Sequence, residues 1–272
     1  LNRRNNADAL IRHLEVKLRK LDLQQERTRI TGFIRAYLQS AGFAKVVLGL
    51  SGGVDSAVCA ALAVEALGKE NVIAALLPYK SSHPDSLADA SHLAGILGIE
   101  HHVIEITPMA DAYFDTYGPD ATPLRRGNWL ARTRMCVLYD LSAKHNALVL
   151  GTSNRTELMV GYFTQFGDSA CAFEPIGHLY KTEVWALARL IGVPDKIVNK
   201  TPTADLWAGQ SDEADLGLTY PVLDDIVYAL TELDVNVGAS ENLDHPAELY
   251  HKVDRMITAS AFKRKLPHVL ED

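Results

Sequence analysis

Residues 45–150 constrain the fold most, because short strand-like runs alternate there with longer stretches of helical spacing. Residues 45–50 form a β-branched apolar run of the kind buried on both faces of a sheet. Further strands are predicted at 71–77, 99–106 and 147–150. Helices are predicted between them at 55–67, 83–97 and 124–145, with Gly68 and Gly98 as stops for the first two. Strands separated by helices pair in parallel through right-handed crossovers. The expected architecture is therefore α/β, a doubly wound parallel sheet with flanking helices. Ligands of such sheets sit beyond the carboxyl ends of the strands.

Upstream, Ile30, Phe33, Ile34, Tyr37, Leu38 and Ala41 follow helical spacing, and Gly42 supplies a stop. Residues 1–22 read as an N-terminal helical arm. The first twenty carry six basic and two acidic side chains, with Leu10, Ile11, Leu14 and Leu18 at helical spacing. The 272 residues otherwise read as one domain. Beyond Gly151, 161–178 and 199–220 are rich in Gly, Pro, Asp, Ser and Thr, as binding loops or lids are. Helices return at 182–191, 221–233 and 246–260.

Composition narrows the function classes. Hydrophobic residues at 47 % and charged residues at 22 % exclude bulk disorder. No uncharged apolar run approaches the ~18 residues of a membrane span. A net charge of −7 argues against bulk attraction to nucleic acid. Cys59, Cys136 and Cys171 are odd in number and scattered, which suits a reducing cytoplasm better than a disulfide framework. The chain opens at Leu1, and no basic start followed by an apolar core suggests a secretory leader. The ten histidines show no metal-ligand spacing, and His101-His102 reads as a structural pair in a strand.

The sharpest motif is Gly49-Leu50-Ser51-Gly52-Gly53-Val54-Asp55-Ser56, between a predicted strand and a predicted helix. Two glycines let the backbone approach a ligand, and a new helix N-terminus offers free N–H groups to an anion. Ser51 and Ser56 add hydroxyls. The loop lacks the lysine of Gly-x-x-x-x-Gly-Lys-Ser/Thr. It carries Asp55 instead, which would repel a phosphate unless a cation such as Mg²⁺ lies between them. The bland alternative is a tight turn with Ser51 or Asp55 capping the helix.

Ser51-Gly52-Gly53-Val54-Asp55-Ser56 resembles the pyrophosphate loop of the ATP pyrophosphatases, which adenylate a substrate and release pyrophosphate. Five further blocks occur in order: Gly151-Thr152-Ser153-Asn154-Arg155-Thr156-Glu157, Gly161-Tyr162-Phe163-Thr164-Gln165-Phe166-Gly167-Asp168, Leu179-Tyr180-Lys181-Thr182-Glu183-Val184-Trp185, Thr201-Pro202-Thr203-Ala204-Asp205-Leu206 with Gly209-Gln210-Ser211-Asp212-Glu213, and Phe262-Lys263-Arg264. Together they resemble the NAD synthetase family over roughly 25–266. The resemblance implies an adenine nucleotide alpha hydrolase-like fold and a cytoplasmic, homodimeric ligase of NAD biosynthesis. Its reaction would be ATP-dependent amidation of deamido-NAD with ammonia through an acyl-adenylate, releasing AMP and pyrophosphate. Alternatives are another adenylating amidotransferase, a tRNA-thiolating enzyme, or a non-catalytic nucleotide-binding relative.

Carried over position by position, the resemblance assigns ATP to Gly49, Leu50, Ser51, Gly52, Gly53, Val54, Asp55, Ser56, Thr152, Lys181 and Thr203. It assigns Mg²⁺ to Asp55 and Glu157, and deamido-NAD to Arg132, Gln165, Ala172, Phe262 and Lys263. Asp55 and Lys181 would act in catalysis. Apart from the resemblance, Asp168 is a candidate base for ammonia, with a loop-turn aspartate as the alternative. On local grounds Glu157 also fits a capping box with Asn154. Arg132 and Arg134 point nearly opposite ways on a helix, so one site cannot easily take both. Lys181 stands at a helix start, an unusual place for a cation, with a solvated lysine as the alternative. Ammonia-using relatives often carry Lys, an acid and His where this chain has Gln165, Ala172 and Phe262. Residues 166–175 look closer to glutamine-using relatives, so the nitrogen source is either free ammonia or a separate glutaminase.

Overall fold

A computed structural model describes residues 21–207, 209–233, 235 and 243–265. The expected arm lies outside them except for its end, where the Asp22 carboxylate caps α1 (Leu23–Ala41) by accepting from the Gln24 and Gln25 N–H groups. Gly42 ends α1 in the left-handed conformation at φ 75°, the role expected of that glycine. The alternation then unfolds as β1 (Lys45–Gly49), α2 (Val54–Leu67), β2 (Val72–Leu76), α3 (Pro84–Leu97), β3 (Glu100–Val103), α4 (Thr107–Tyr117), α5 (Pro123–His145) and β4 (Ala147–Val149). Shorter helices follow: α6 (Arg155–Val160), α7 (Lys181–Leu190), α8 (Asp195–Val198) and α9 (Asp212–Leu216). The described part ends with α10 (Tyr220–Glu232), α11 (Ala247–Ala259) and a 3₁₀ turn, Ala261–Arg264.

The four strands form one parallel sheet in the order β3-β2-β1-β4. Strand alternation divides the core in two. Val46, Leu48, Val72, Ala74 and Leu76 pack with residues of α1, α2, α3 and α7. Val47, Ile73, Ala75 and Val149 face Ala110 of α4 and Leu130 and Leu141 of α5. Helices thus cover both faces, as a doubly wound sheet requires. A third cluster, around Tyr180, Tyr220, Leu223, Ile226 and Val253, joins α10 and α11 to the loop segment before α7. The chain steps outward from β1 to β2 and β3, then returns to place β4 on the other side of β1. That reversal opens a crevice at the carboxyl ends of β1 and β4.

Two elements depart from expectation. β3 spans four residues rather than 99–106, and its side chains are largely exposed because it is a sheet edge. α4 has no counterpart in the sequence reading; only Ala110 and Phe114 are buried on it, too narrow a stripe to mark a helix. Among the described residues no helix is long and apolar enough to cross a membrane.

Candidate active site

The loop after β1 turns into the crevice. Gly52 takes φ 77°, and a Cβ there would lie 2.3 Å from the Ser86 carbonyl oxygen, so conformation and space both demand glycine. Gly53 is the N-cap of α2, and no side chain caps that helix. Ser51 and Ser56 instead brace the loop: Ser56 Oγ donates to the Gly53 carbonyl at 3.1 Å and accepts from Ser51 N–H at 3.2 Å. Neither Ser51 nor Asp55 serves as the cap that the bland reading required, and the N-terminus of a fourteen-residue helix stays available to an anion.

The loop after β4 runs beside it. Asn154 Nδ2 donates to Asp55 Oδ1 at 2.9 Å, joining the two loops across 99 residues of sequence. The capping box is present: Asn154 accepts from Glu157 N–H, and Glu157 Oε2 accepts from Asn154 N–H. The other oxygen of Glu157 is free for a second role and takes it, accepting from Lys181 Nζ at 3.0 Å. Lys181 also donates to Asp55 Oδ2 at 2.5 Å. Its side chain is 3 % exposed, so it is no solvated lysine.

The charges here do not balance. Tyr220 OH donates to Asp212 Oδ2 at 3.0 Å and lies 3.4 Å from Glu157 Oε1, tying a third acid to the group. Three carboxylates thus surround one ammonium. Burial pushes the Glu157 carboxyl up to about 7; Lys181 opposes this, and Asp55 and Asp212 add to it. Burial also raises Asp212. Burial disfavours the Lys181 ammonium, but Asp55 and Glu157 outweigh it and hold the lysine above its ordinary value. Asp55, Glu157 and Asp212 are the carboxylates available to a cation.

These groups line a cavity of about 810 Å³, a volume suited to a nucleotide-sized ligand. Gly49, Leu50, Ser51, Gly53, Val54, Ser56, Thr152 and Thr203 also line it, so most of the sequence-selected ATP positions converge. Thr203 Oγ1 additionally accepts from Asp205 N–H, as in a turn. Asp168 borders the same cavity; its carboxylate accepts from Thr164 N–H at 2.9 Å, and burial raises its pKa.

The positions assigned to deamido-NAD are spread out. Lys263 lines the main cavity and a second one of about 410 Å³, donating to the carbonyls of Gly161 and Phe163. Gln165 lines only the second, and its carbonyl accepts from the exposed Arg132 guanidinium at 3.2 and 3.3 Å. Ala172 lines neither; it packs against the core, and its carbonyl accepts from Tyr37 OH. Phe262 is 63 % exposed. Of the two arginines on α5, Arg134 lines the main cavity, bonded to the Leu77 carbonyl at 3.0 Å.

Asp212, Tyr220 and Glu174 received no role from sequence, and Asn154 only that of a helix cap. Asp212 stands in the quoted block 209–213, but nothing local pairs it with Asp55, 157 residues upstream. Glu174 accepts from Ser153 N–H at 3.0 Å and from Cys171, and burial raises its carboxyl to about 8. Any Cβ on Gly151 would strike it at 2.4 Å, so that glycine is needed for close packing beneath the loop.

Comparison with known proteins agrees with this geometry. The NAD synthase family matches residues 26–267. An NH3-dependent NAD+ synthetase of Fusobacterium nucleatum is 48 % identical over 247 residues, covering 91 % of this chain and 95 % of that one. The NH3-dependent NAD synthetase from Campylobacter jejuni superposes with a TM-score of 0.79 at 37 % identity, over 92 % of this chain and all of the other. NMN synthetase from Francisella tularensis superposes at 0.82 with 32 % identity, over 93 % and 100 %. With a glycine loop at the switch point of a parallel sheet, a buried lysine among three acids, and a family match over nearly the whole chain, this protein belongs to the NAD synthase family of ligase-type, ATP-using enzymes.

Proposed function

We propose that the chain amidates deamido-NAD to NAD, using ATP and ammonia. One observation carries the reading: the anion cradle of α2 and the Lys181–Asp55–Glu157 cluster open into one cavity at the switch point. In the first step a carboxylate oxygen of the nicotinate attacks the α-phosphorus of ATP. The α–β anhydride bond breaks and pyrophosphate leaves with its electron pair. The loop N–H groups and Lys181 face the charge that develops, so this step is electrostatic. In the second step ammonia adds to the acyl carbon, AMP departs, and one proton is lost. Asp168 is the base we assign, because burial raises its affinity for that proton.

Three carboxylates about one ammonium fit a divalent cation of the Mg²⁺ type, which takes oxygen ligands. Asp55 and Glu157 would hold it, and bound there it would neutralise phosphate charge. Exposed Phe166 and Phe262 and the outward Arg132 support a homodimer in which a second copy completes the deamido-NAD site. Three free thiols, Cys59 fully buried among them, suit a cytoplasmic setting. Residues 1–272 are one synthetase domain in this reading.

The test is product analysis with ATP, Mg²⁺, deamido-NAD and ammonium. NAD, AMP and pyrophosphate should appear in equal amounts, with glutamine inactive as donor in place of ammonium. ADP as the nucleotide product would overturn the mechanism. A second reading, the mononucleotide as acceptor, draws on the fold likeness to an NMN synthetase; higher turnover of nicotinic acid mononucleotide than of deamido-NAD would select it.

A further inference from the structure

Away from the catalytic crevice, Glu100 and His102 alternate onto one face of the edge strand β3. His145 is the last residue of α5. A carboxylate oxygen of Glu100 and one ring nitrogen from each histidine lie within 4.8 Å of one another. The two imidazole rings are 5.5 Å apart. The histidines are 43 positions apart in sequence, so spacing gave no sign of the group, and the reading of His102 as merely structural misses its partners.

We propose that Glu100, His102 and His145 bind one divalent transition-metal ion, Zn²⁺ by ligand chemistry, at a site separate from the catalytic acids. Nε2 of His102 and Nε2 of His145 are both buried, and neither has a hydrogen-bond partner. Buried polar atoms are nearly always paired, and orphans are costly. Glu100 Oε1 lies 3.0 Å from His102 Nε2 but out of line for a hydrogen bond. One dication satisfies all three groups, since it takes a lone pair from each imidazole and neutralises the carboxylate.

The dimensions suit it. In a tetrahedral site with bonds of about 2.0–2.1 Å, neighbouring ligand atoms lie ~3.3 Å apart; the Glu100–His102 pair stands at 3.0 Å, and all three ligand atoms lie within 4.8 Å of one another, so a small side-chain adjustment closes the site. Two imidazoles and one carboxylate select Zn²⁺ over Mg²⁺ or Ca²⁺, which prefer all-oxygen sites such as the catalytic one. Glu100 is exposed, which leaves an entry path and room for a water as fourth ligand. The carbonyl end of the 23-residue α5 adds negative potential beside His145. The ion would tie the edge strand to the end of the longest described helix.

The experiment is a Zn²⁺ titration of the metal-free full chain in excess Mg²⁺, which occupies the oxygen site. One Zn²⁺ per chain should bind, and Co²⁺ in its place should give visible ligand-field absorption. X-ray absorption should show only nitrogen and oxygen ligands. H145Q should weaken binding by about 100-fold or more, and E100Q, an exposed change that leaves the fold intact, by roughly 10-fold. D55N should leave the stoichiometry at one. No bound Zn²⁺, sulfur ligation by Cys171, or binding abolished by D55N and untouched by E100Q would overturn the proposal.

Discussion

Replacing Glu157 with glutamine separates its two structural jobs. Glutamine can keep the capping box, because its amide oxygen still accepts from Asn154 N–H. It removes the charge that faces Lys181, Asp55 and Asp212. In the native protein, burial lifts the Glu157 carboxyl from the ordinary 4.5 to about 7. At about 1.4 kcal/mol per pH unit, ionised Glu157 costs the fold on the order of 3 kcal/mol above pH 7 when no metal is present. The sign follows from linkage. The folded chain holds a proton that the unfolded chain releases, so stability is highest below about pH 4.5 for this group and falls as pH rises to about 7. E157Q should abolish that fall while cutting kcat/KM by about 100-fold or more through the lost charge. Thermal melts from pH 4.5 to 8.5 in chelator, with and without Mg²⁺, read the first effect. Mg²⁺ should restore native stability at pH 8 and do little for the variant. A variant that melts with the native pH slope, or keeps its rate, would refute the reasoning. A lower melting temperature with full activity would reduce Glu157 to a helix cap.

K181M should destabilise the chain by about 3–5 kcal/mol in denaturant titrations, because it strands two partly buried carboxylates. The deficit should grow as pH rises, since Glu157, its carboxyl already raised by burial, then ionises without its counter-charge, and turnover should be lost. G52A should lower melting temperature and ATP affinity together: its Cβ would meet the Ser86 carbonyl at 2.3 Å in a left-handed backbone. Asp224 is fully buried and accepts from Thr156 Oγ1 and Thr182 N–H, next to Lys181. D224A should cost about 2–4 kcal/mol by orphaning those donors, and should raise KM for ATP more than it changes the fold by circular dichroism.

What the sequence by itself determined was local. The alternation from 45 to 150 specified a parallel sheet, because strand and helix periodicities operate within one element. Gly42 and Gly98 ended helices where they stand, since each meets a left-handed backbone. Asn154 and Glu157 announced a helix start by their spacing, and the glycine loop announced an anion cradle. The site itself was only partly legible. That Lys181 lies between Asp55 and Glu157 depends on β4 pairing with β1, a choice among strand orders that no short window encodes. Helical geometry showed that Arg132 and Arg134 diverge, but packing of α5 on the sheet decided that Arg134 faces the cavity. Asp212 and Tyr220 joined the charge cluster, and His145 met His102, only when distant elements docked. Charge pairing acts over a few ångströms of space, and only the tertiary fold converts a hundred residues of chain into that distance.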